Sequence, residues 1–225
     1  MLYEKNQTEH ISGELFRNPS CEYRGTPFWA WNGRLDRDRL TEQIQVFKKM
    51  GLGGFHMHVR TGMDSPYLEE EFMDSIRHCI GKAGEMDMLA WLYDEDRWPS
   101  GTAGGRVTAG RPEYARKSLL FTTNPYEECA FPEPAAPEPG RGQENIRQEN
   151  GRLLAVYDIL LDRDGKLEGA YRVSKEEPVE EGAVRWYAYM EYASADPWFN
   201  NQAYVDTLNP EAIAEFIRIT HEAYA

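Results

Sequence analysis

The sequence has little positive charge for its length of 225 residues. Lys and Arg total 25 against 38 Asp and Glu, which gives a formal net charge of −13. No stripe of basic residues is visible, so neither a nucleic acid nor an anionic membrane surface is an expected partner. A neutral carbohydrate fits this charge balance.

Long apolar runs, secretory signals and paired cysteines are also missing. No apolar run reaches the length of about 18 residues that a membrane span needs. The N-terminus has no cationic start followed by an apolar stretch. Cys21, Cys79 and Cys129 are far apart and form no CxxC pair. An odd number of separated cysteines is typical of reduced thiols, so we expect a cytoplasmic protein.

Several catalytic motifs are absent. The sequence has no GxSxG element and no lone cysteine beside a base, which argues against serine and cysteine hydrolases. The Gly-rich stretch 101–105 matches neither GxGxxG nor a P-loop, so phosphate binding is poorly supported. We expect this stretch to let a loop pass close to substrate or to neighbouring backbone.

The first half of the chain alternates between predicted strands and helices. Residues 27–33, 53–60 and the segment from Met88 read as strands. Asp36 predicts the N-cap of an intervening helix that ends at Gly51. A second helix is predicted to open at Ser65-Pro66, with a buried stripe at Leu68, Phe72, Ile76 and Ile80. This alternation predicts parallel βαβ units.

The second half breaks that pattern. Strands are predicted at 116–123 and 184–193, and 152–174 reads as a hairpin with its turn at Asp164-Gly165. The intervening stretch 124–150 is rich in Pro, Glu, Gly and Gln, which predicts a mobile loop. A short strand at 204–206 and a helix capped by Asn209 resume the α/β alternation.

The predicted fold class is therefore α/β, a partial TIM-type (β/α) barrel with an inserted antiparallel β subdomain. The predicted parts are a leader at 1–25, three βα units at 26–115, the insertion with its flexible Pro/Glu-rich loop at 116–195, and a truncated fourth unit at 196–225. A TIM barrel needs about 250 residues, so about four of its eight units are expected here. We expect such a part barrel to be inactive alone and to aggregate, to self-associate through unpaired strand edges, or to require the missing half.

Active sites of parallel α/β folds lie at the carboxyl ends of the strands. The residues predicted at these ends are Trp29, Trp31 and Asn32, then His56, His58 and Arg60, then Asp94, Glu95, Asp96, Arg97 and Trp98. Carboxylates accept hydrogen bonds from hydroxyl groups, and Trp98 offers a stacking surface. Crowding of carboxylates raises the pKa of one of them, as a general acid requires. Trp198, Asn200, Tyr204 and Asp206 form a further cluster before the last helix.

Each of these patterns has an alternative. The acidic stretch also reads as a solvated loop closed by an arginine, and Trp29 and Trp31 fit core packing equally well. Because His56 and His58 share one side of a strand, they fit a metal site of the amidohydrolase type, hydrogen bonding to substrate, or packing. The remaining histidines do not suit a metal site. A non-catalytic carbohydrate-binding fragment is the other alternative.

Four segments carry a family resemblance: PFWAWNG, GGFHMHVRTGMDSPYL, AWLYDEDRWPSGTAGGRVT and WFNNQAYVDTLNPEAIAEFIRITHEAY. Their order over residues 26–225 resembles large bacterial α-L-rhamnosidase-like glycoside hydrolases, which are longer than this chain. The resemblance implies a TIM-type catalytic domain with an inserted β subdomain, followed by accessory β domains.

The resemblance also implies hydrolysis of O-glycosidic bonds, including α-L-rhamnosides, by two carboxylates. Glu95 and Asp94 are the catalytic candidates in this chain, although the acid and base are expected largely beyond residue 225. Pocket roles carry over to Asp94, Glu95, Arg97, Trp98, His56, His58, Asn200 and Asp206. Some rhamnosidase-type members use calcium, but no oxygen-ligand loop here supports it independently. We expect no other cofactor.

Overall fold

The structure is a computed structural model that describes residues 9–10, 12–129 and 147–225. The chain divides into two compact units, Met1–Ser100 with Tyr224, and Gly101–Ala223 with Ala225. This boundary differs from the predicted one at residue 115, and the four-part division stays a prediction. Parts of the predicted leader (1–8 and 11) and of the predicted mobile loop (130–146) lie outside the described residues.

The first unit contains a parallel three-stranded sheet in the order β1-β2-β3. Its elements are α1 (Gly13–Arg17), a 3-10 helix (Cys21–Tyr23), β1 (Phe28–Trp31), α2 (Arg37–Lys49), β2 (Gly54–Val59), α3 (Glu70–Glu85) and β3 (Leu89–Leu92). The parallel pairing predicted from the strand–helix alternation is confirmed. Each edge strand pairs only with β2 in the part of the chain that the structure describes.

Helix α2 follows its predicted pattern closely. The Asp36 side chain accepts a hydrogen bond from the backbone N–H of Arg39 at 3.0 Å, which caps the first turn. Leu40 and Ile44 are buried on the inner side of the helix. Gly51 follows the helix with a φ of +81°, a backbone conformation that glycine adopts without strain.

Helix α3 corrects the prediction for residues 65–80. It begins at Glu70, and Leu68 lies before it with a φ of +60°. Ile80 is 45% exposed, while Cys79 is fully buried in its place. The predicted stripe used steps of four residues, and each such step advances about 40° beyond a full turn. The drift carries residue 80 away from the core.

The core of this unit lies between the sheet and its helices. Trp29 and Trp31 point to the helix side of β1, where both indoles are buried. Trp29 packs edge-to-face on Phe55 with ring centroids 5.1 Å apart, and Trp31 packs on Phe72 at 5.8 Å. Aromatic contacts of this geometry stabilise a core beyond simple burial.

The second unit contains an antiparallel four-stranded sheet in the order β4-β7-β5-β6. Its elements are 3-10 helices (Pro112–Tyr114 and Pro197–Phe199), β4 (Lys117–Thr122), β5 (Arg152–Leu161), β6 (Leu167–Val173), β7 (Val184–Tyr192), α4 (Pro210–Ile219) and α5 (His221–Tyr224), whose Tyr224 belongs to the first unit. The predicted hairpin is confirmed, with Gly165 in its turn at a φ of +77°.

The predicted short strand at 204–206 is wrong. Val205 forms only an isolated antiparallel bridge with Ala115. Its neighbour Asp206 is held by Lys117, whose Nζ lies 2.8 Å from the carboxylate. Residues 204–206 therefore contact the start of the β subdomain and add no strand to the parallel sheet within the described residues.

The described residues thus form an α/β chain with one parallel and one antiparallel sheet, and their three parallel strands do not close into a barrel. Within residues 9–10, 12–129 and 147–225, no helix has the length and apolarity needed to cross a membrane.

Two isoleucines of α3 test the corrected helix register. Ile76 is 4% exposed and Ile80 is 45% exposed. We expect Ile76→Ala to lower the free energy of unfolding by about 2–5 kcal/mol, because it leaves a cavity in the core. Ile80→Ala should cost less than about 1 kcal/mol. Urea denaturation of both variants measures the difference, and equal losses would contradict this register.

Candidate functional site

The side chains of β2 alternate between two surroundings. Phe55, Met57 and Val59 are buried toward the helices, whereas His56 and His58 are only partly buried on the opposite face of the sheet. This alternation is the ordinary period of a strand. The two histidines therefore do share one face, as the sequence predicts.

Aromatic rings from the neighbouring strands surround both imidazoles. The ring of His56 stacks on Trp91, with centroids 4.8 Å apart and planes 16° from parallel. The ring of His58 stacks on Tyr93 at 3.6 Å and contacts Phe28 at 4.3 Å. We call these five side chains the histidine face. Its rings fix both imidazoles in place.

His58 is held in one tautomer. Its Nδ1 lies 2.8 Å from the carbonyl oxygen of Val59. A carbonyl oxygen only accepts, so Nδ1 carries the proton and Nε2 is an acceptor. Burial lowers the pKa of His58, and electrostatic repulsion from Arg60 and His56 lowers it further, against the opposing effect of the Val59 hydrogen bond.

The acidic stretch after β3 is more buried than a solvated loop would be. Glu95 is 0% exposed and Asp96 is 6% exposed, while Asp94 is half-buried. The Asp94 carboxylate accepts a hydrogen bond from Ser100 Oγ at 2.7 Å. Glu95 Oε1 accepts one from the backbone N–H of Asp96 at 2.8 Å. These bonds fix the carboxylates at the carboxyl end of β3.

The arginine and tryptophan of this stretch differ in exposure. Arg97 Nε lies 3.4 Å from the Asp96 carboxylate, in a partly buried ion pair. An ion pair of this kind is what the alternative interpretation of the acidic stretch predicts, in which an arginine closes the loop. Trp98 is 69% exposed, and its peptide bond to Pro99 is cis. A large exposed ring beside carboxylates remains compatible with stacking against a ligand.

Three tyrosines at this end of the sheet were not predicted. The Tyr224 hydroxyl donates to the carbonyl of Tyr93 at 3.3 Å. Burial raises the pKa of Tyr224 to about 12, with the charges of Asp94 and Glu95 adding to the effect. The pKa of Tyr67 is raised by burial first, then by Tyr224 and the negative charge of Glu95. The phenols therefore stay protonated beside the two carboxylates.

Burial of Trp29 and Trp31 favours the packing alternative over sugar stacking. Both indoles face the helices, at 6% and 2% exposure, on the side of the sheet away from the histidines. Asn32 is exposed just after β1, and Arg60 is partly buried just after β2. Because side chains of a strand alternate between the two faces of the sheet, Trp29 and Trp31 lie on the face opposite to the histidines.

The other predicted residues lie in the second unit, where they make structural contacts. Asn200 has a φ of +56° and donates through Nδ2 to the carbonyl of Gly104 at 2.9 Å. Tyr204 packs against Phe199, with ring centroids 5.2 Å apart. Asp206 pairs with Lys117, as described above. These contacts account for the three residues without a ligand.

Comparisons with known proteins give little beyond this geometry. No family model matches the chain, and no curated protein matches it. One solved structure, a rhamnosidase from Novosphingobium sp. PP1Y, aligns with 14% sequence identity and a TM-score of 0.40. The alignment covers 80% of this chain and 26% of that one, so this chain spans about a quarter of its length. A likeness this distant identifies neither a family nor a function.

Among the described residues, the donor set does not fit a metal, whether zinc or calcium. The described residues contain no group of three or more His, Cys, Asp or Glu that could hold an ion. Asp94 and Asp96 are already engaged by Ser100 and Arg97. The histidine pair and the acidic stretch therefore each lack a complete ligand shell within these residues.

We expect the purified chain to hold less than stoichiometric zinc, because His56 and His58 have no third ligand beside them among the described residues. Elemental analysis after dialysis against a chelator measures this. Stoichiometric zinc that disappears in the His56→Ala variant would contradict the expectation and support the amidohydrolase interpretation.

Proposed function

We propose that the protein hydrolyses O-glycosidic bonds, with α-L-rhamnosides as the first substrates to test. In this proposal the first unit is part of a (β/α) barrel, and its histidine face binds sugar. The observation that carries the proposal is the combination of that face with fixed carboxylates at the carboxyl end of β3. The family resemblance of the sequence points in the same direction.

The chemistry of the histidine face suits a neutral sugar. The side of the sheet away from the helices carries rings with hydrogen-bonding edges, namely His56, His58, Trp91 and Tyr93. Aromatic faces pack against the C–H surfaces of a pyranose, and the ring heteroatoms bond its hydroxyl groups. Half-buried rings combine both properties.

Different burial suggests different roles for the two carboxylates. Glu95 is fully buried, which disfavours direct contact between its carboxylate and a sugar. We propose Glu95 as a positioning residue and Asp94 as the carboxylate that contacts the substrate. Glycosidases use two carboxylates that flank the bond, so the second must come from elsewhere in the protein.

The other predicted residues are proposed for three different roles. We propose Asn32, Arg60, Asp96, Arg97 and Trp98 for the rim of the sugar site, because they lie at the strand ends. Roles in substrate binding for Asn200, Tyr204 and Asp206 rest on the resemblance alone. Trp29 and Trp31 are proposed as packing residues.

The non-catalytic alternative has one observation in its favour. Because Glu95 is buried, only Asp94 of the proposed pair is accessible in this chain. A chain that binds sugar without cleaving it would satisfy the same geometry. Turnover therefore has to be measured separately from binding.

We also propose that the chain self-associates, because β1 and β3 each pair on one side only within the described residues. Unpaired strand edges offer backbone groups to a second copy. A cytoplasmic location is proposed as well, and the free state of Cys21, Cys79 and Cys129 supports it.

Replacing Asp94 tests the proposed function. We expect the chain to bind p-nitrophenyl α-L-rhamnopyranoside and Asp94→Asn to weaken binding about tenfold or more, because a charge-assisted hydrogen bond is lost. Asp164→Asn, in the hairpin turn of the second unit, is the matched control and should bind like the wild type. Calorimetry measures affinity, and release of nitrophenol measures turnover.

Each outcome of this experiment bears on the function. Binding without turnover would agree both with the non-catalytic alternative and with the expected inactivity of the part barrel alone. Turnover that survives Asp94→Asn would contradict the role of Asp94. If no aryl glycoside of a panel binds, the proposal that the protein acts on carbohydrates is wrong.

A second measurement addresses the strand edges. We expect light scattering to give a mass above that of one 26.0 kDa chain, in a concentration-dependent manner. A proline at Ala90 in β3, compared with a control proline at Glu70, the first residue of α3, where a helix tolerates proline, would separate edge pairing from general aggregation. A monomer at all concentrations would contradict self-association.

A further inference from the structure

We propose that His58 recognises one hydroxyl group of the bound sugar as a hydrogen-bond acceptor through Nε2, and so selects sugars that carry a donor at that position. This inference rests on the proposed function and deepens it. It assigns which partner donates and which accepts in one hydrogen bond, and this assignment determines part of the sugar specificity.

The ring of His58 is fixed on both sides. Tyr93 stacks on one side, at 3.6 Å between centroids, and Phe28 contacts the ring at 4.3 Å. The Nδ1–H bond to Val59 O removes the remaining rotation about the ring axis. A ring held by these three contacts presents Nε2 in one direction before any ligand arrives, which lowers the entropic cost of binding.

The polarity of Nε2 follows from the bond at Nδ1. A neutral imidazole has one N–H, and the Val59 carbonyl requires it at Nδ1. Nε2 therefore holds a lone pair, and it makes no hydrogen bond within the described residues. An acceptor in this position favours a hydroxyl group and disfavours ether oxygens and carboxylates, which have no hydrogen to donate.

Protonation would reverse this polarity, and the surroundings oppose it. The charged and titratable groups that act on the ring are Arg60, just after β2, and His56 of β2, while the phenol of Tyr93 stacks on the ring and Phe28 of β1 contacts it. Burial first, and electrostatic repulsion from Arg60 and His56 in addition, lower the pKa of His58 below its ordinary value of 6.5. The neutral acceptor thus persists below that pH and is lost only on further acidification.

His56 provides an internal comparison on the same strand. Its ring stacks on Trp91, but no hydrogen bond from the described residues to either ring nitrogen fixes its tautomer. A role for stacking alone predicts the same behaviour for both residues. A role for a fixed acceptor predicts an effect at His58 only.

The experiment uses the full chain, ¹⁵N-labelled at histidine, and two matched variants. His58→Phe and His56→Phe each keep an aromatic ring on the face and remove one acceptor. The probes are methyl α-L-rhamnopyranoside and its 2-, 3- and 4-deoxy analogues. In the free protein we expect His58 in the single Nδ1–H tautomer.

On titration, we expect the parent sugar to shift the Nε2 resonance of His58 and one deoxy analogue to bind about tenfold more weakly than the parent. His58→Phe should abolish that difference between parent and analogue, and His56→Phe should retain it. Binding of the parent should weaken as the pH falls through the pKa of His58, and His58→Phe should remove this pH dependence.

Three results would overturn the inference. An Nε2–H tautomer in the free protein refutes the polarity directly, whether or not a sugar binds. Sugar binding with unchanged discrimination in His58→Phe refutes the role of His58 and leaves the proposed function standing. Failure of all four probes to bind, with the expected tautomer present, refutes the sugar contact together with the proposed function.

Discussion

The central position of β2 is the constraint on which the first unit depends. Its backbone pairs with β1 on one side and β3 on the other, so its side chains can point only to the two faces of the sheet. At Gly54 the approach of β3 is so close that any Cβ would meet the Leu89 carbonyl and the Trp91 ring. Absence of a side chain there allows Trp91 to stack on His56. The histidine face therefore begins with a glycine.

Periodicity explains what could be predicted. Alternation along β2 placed His56 and His58 on one face, and a strand–helix alternation predicted the parallel order. The same rule also predicts the position of Tyr93. Trp91 and Tyr93 are two residues apart, like His56 and His58 on β2, so both rings lie on the same face of the sheet as the histidines. The rule also explains why Trp29 and Trp31 cannot serve with them, because both indoles face the helices.

Contacts between distant segments explain what could not be predicted. Tyr67 lies in a loop and Tyr224 near the chain terminus, and no local pattern shows that both approach Asp94 and Glu95. Full burial of Glu95 is equally invisible in a stretch of charged residues, which normally predicts exposure. The predicted start of α3 is wrong because Ser65-Pro66 resembles the start of a helix, whereas the chain makes a further turn before the helix begins at Glu70.

The polar groups of the first unit favour a neutral ligand with hydroxyl groups over an anion. Asp94 and the Nε2 atom of His58 are acceptors, so each can take a hydrogen bond from a donor on the ligand. Tyr67 and Tyr224 remain protonated, because burial and the nearby negative charges raise the pKa of each phenol. Both phenols are thus donors, and Tyr224 donates to the carbonyl of Tyr93. An anion could donate neither to Asp94 nor to the neutral imidazole of His58, whereas a sugar hydroxyl can donate to either acceptor while the C–H surface of the sugar packs on the rings.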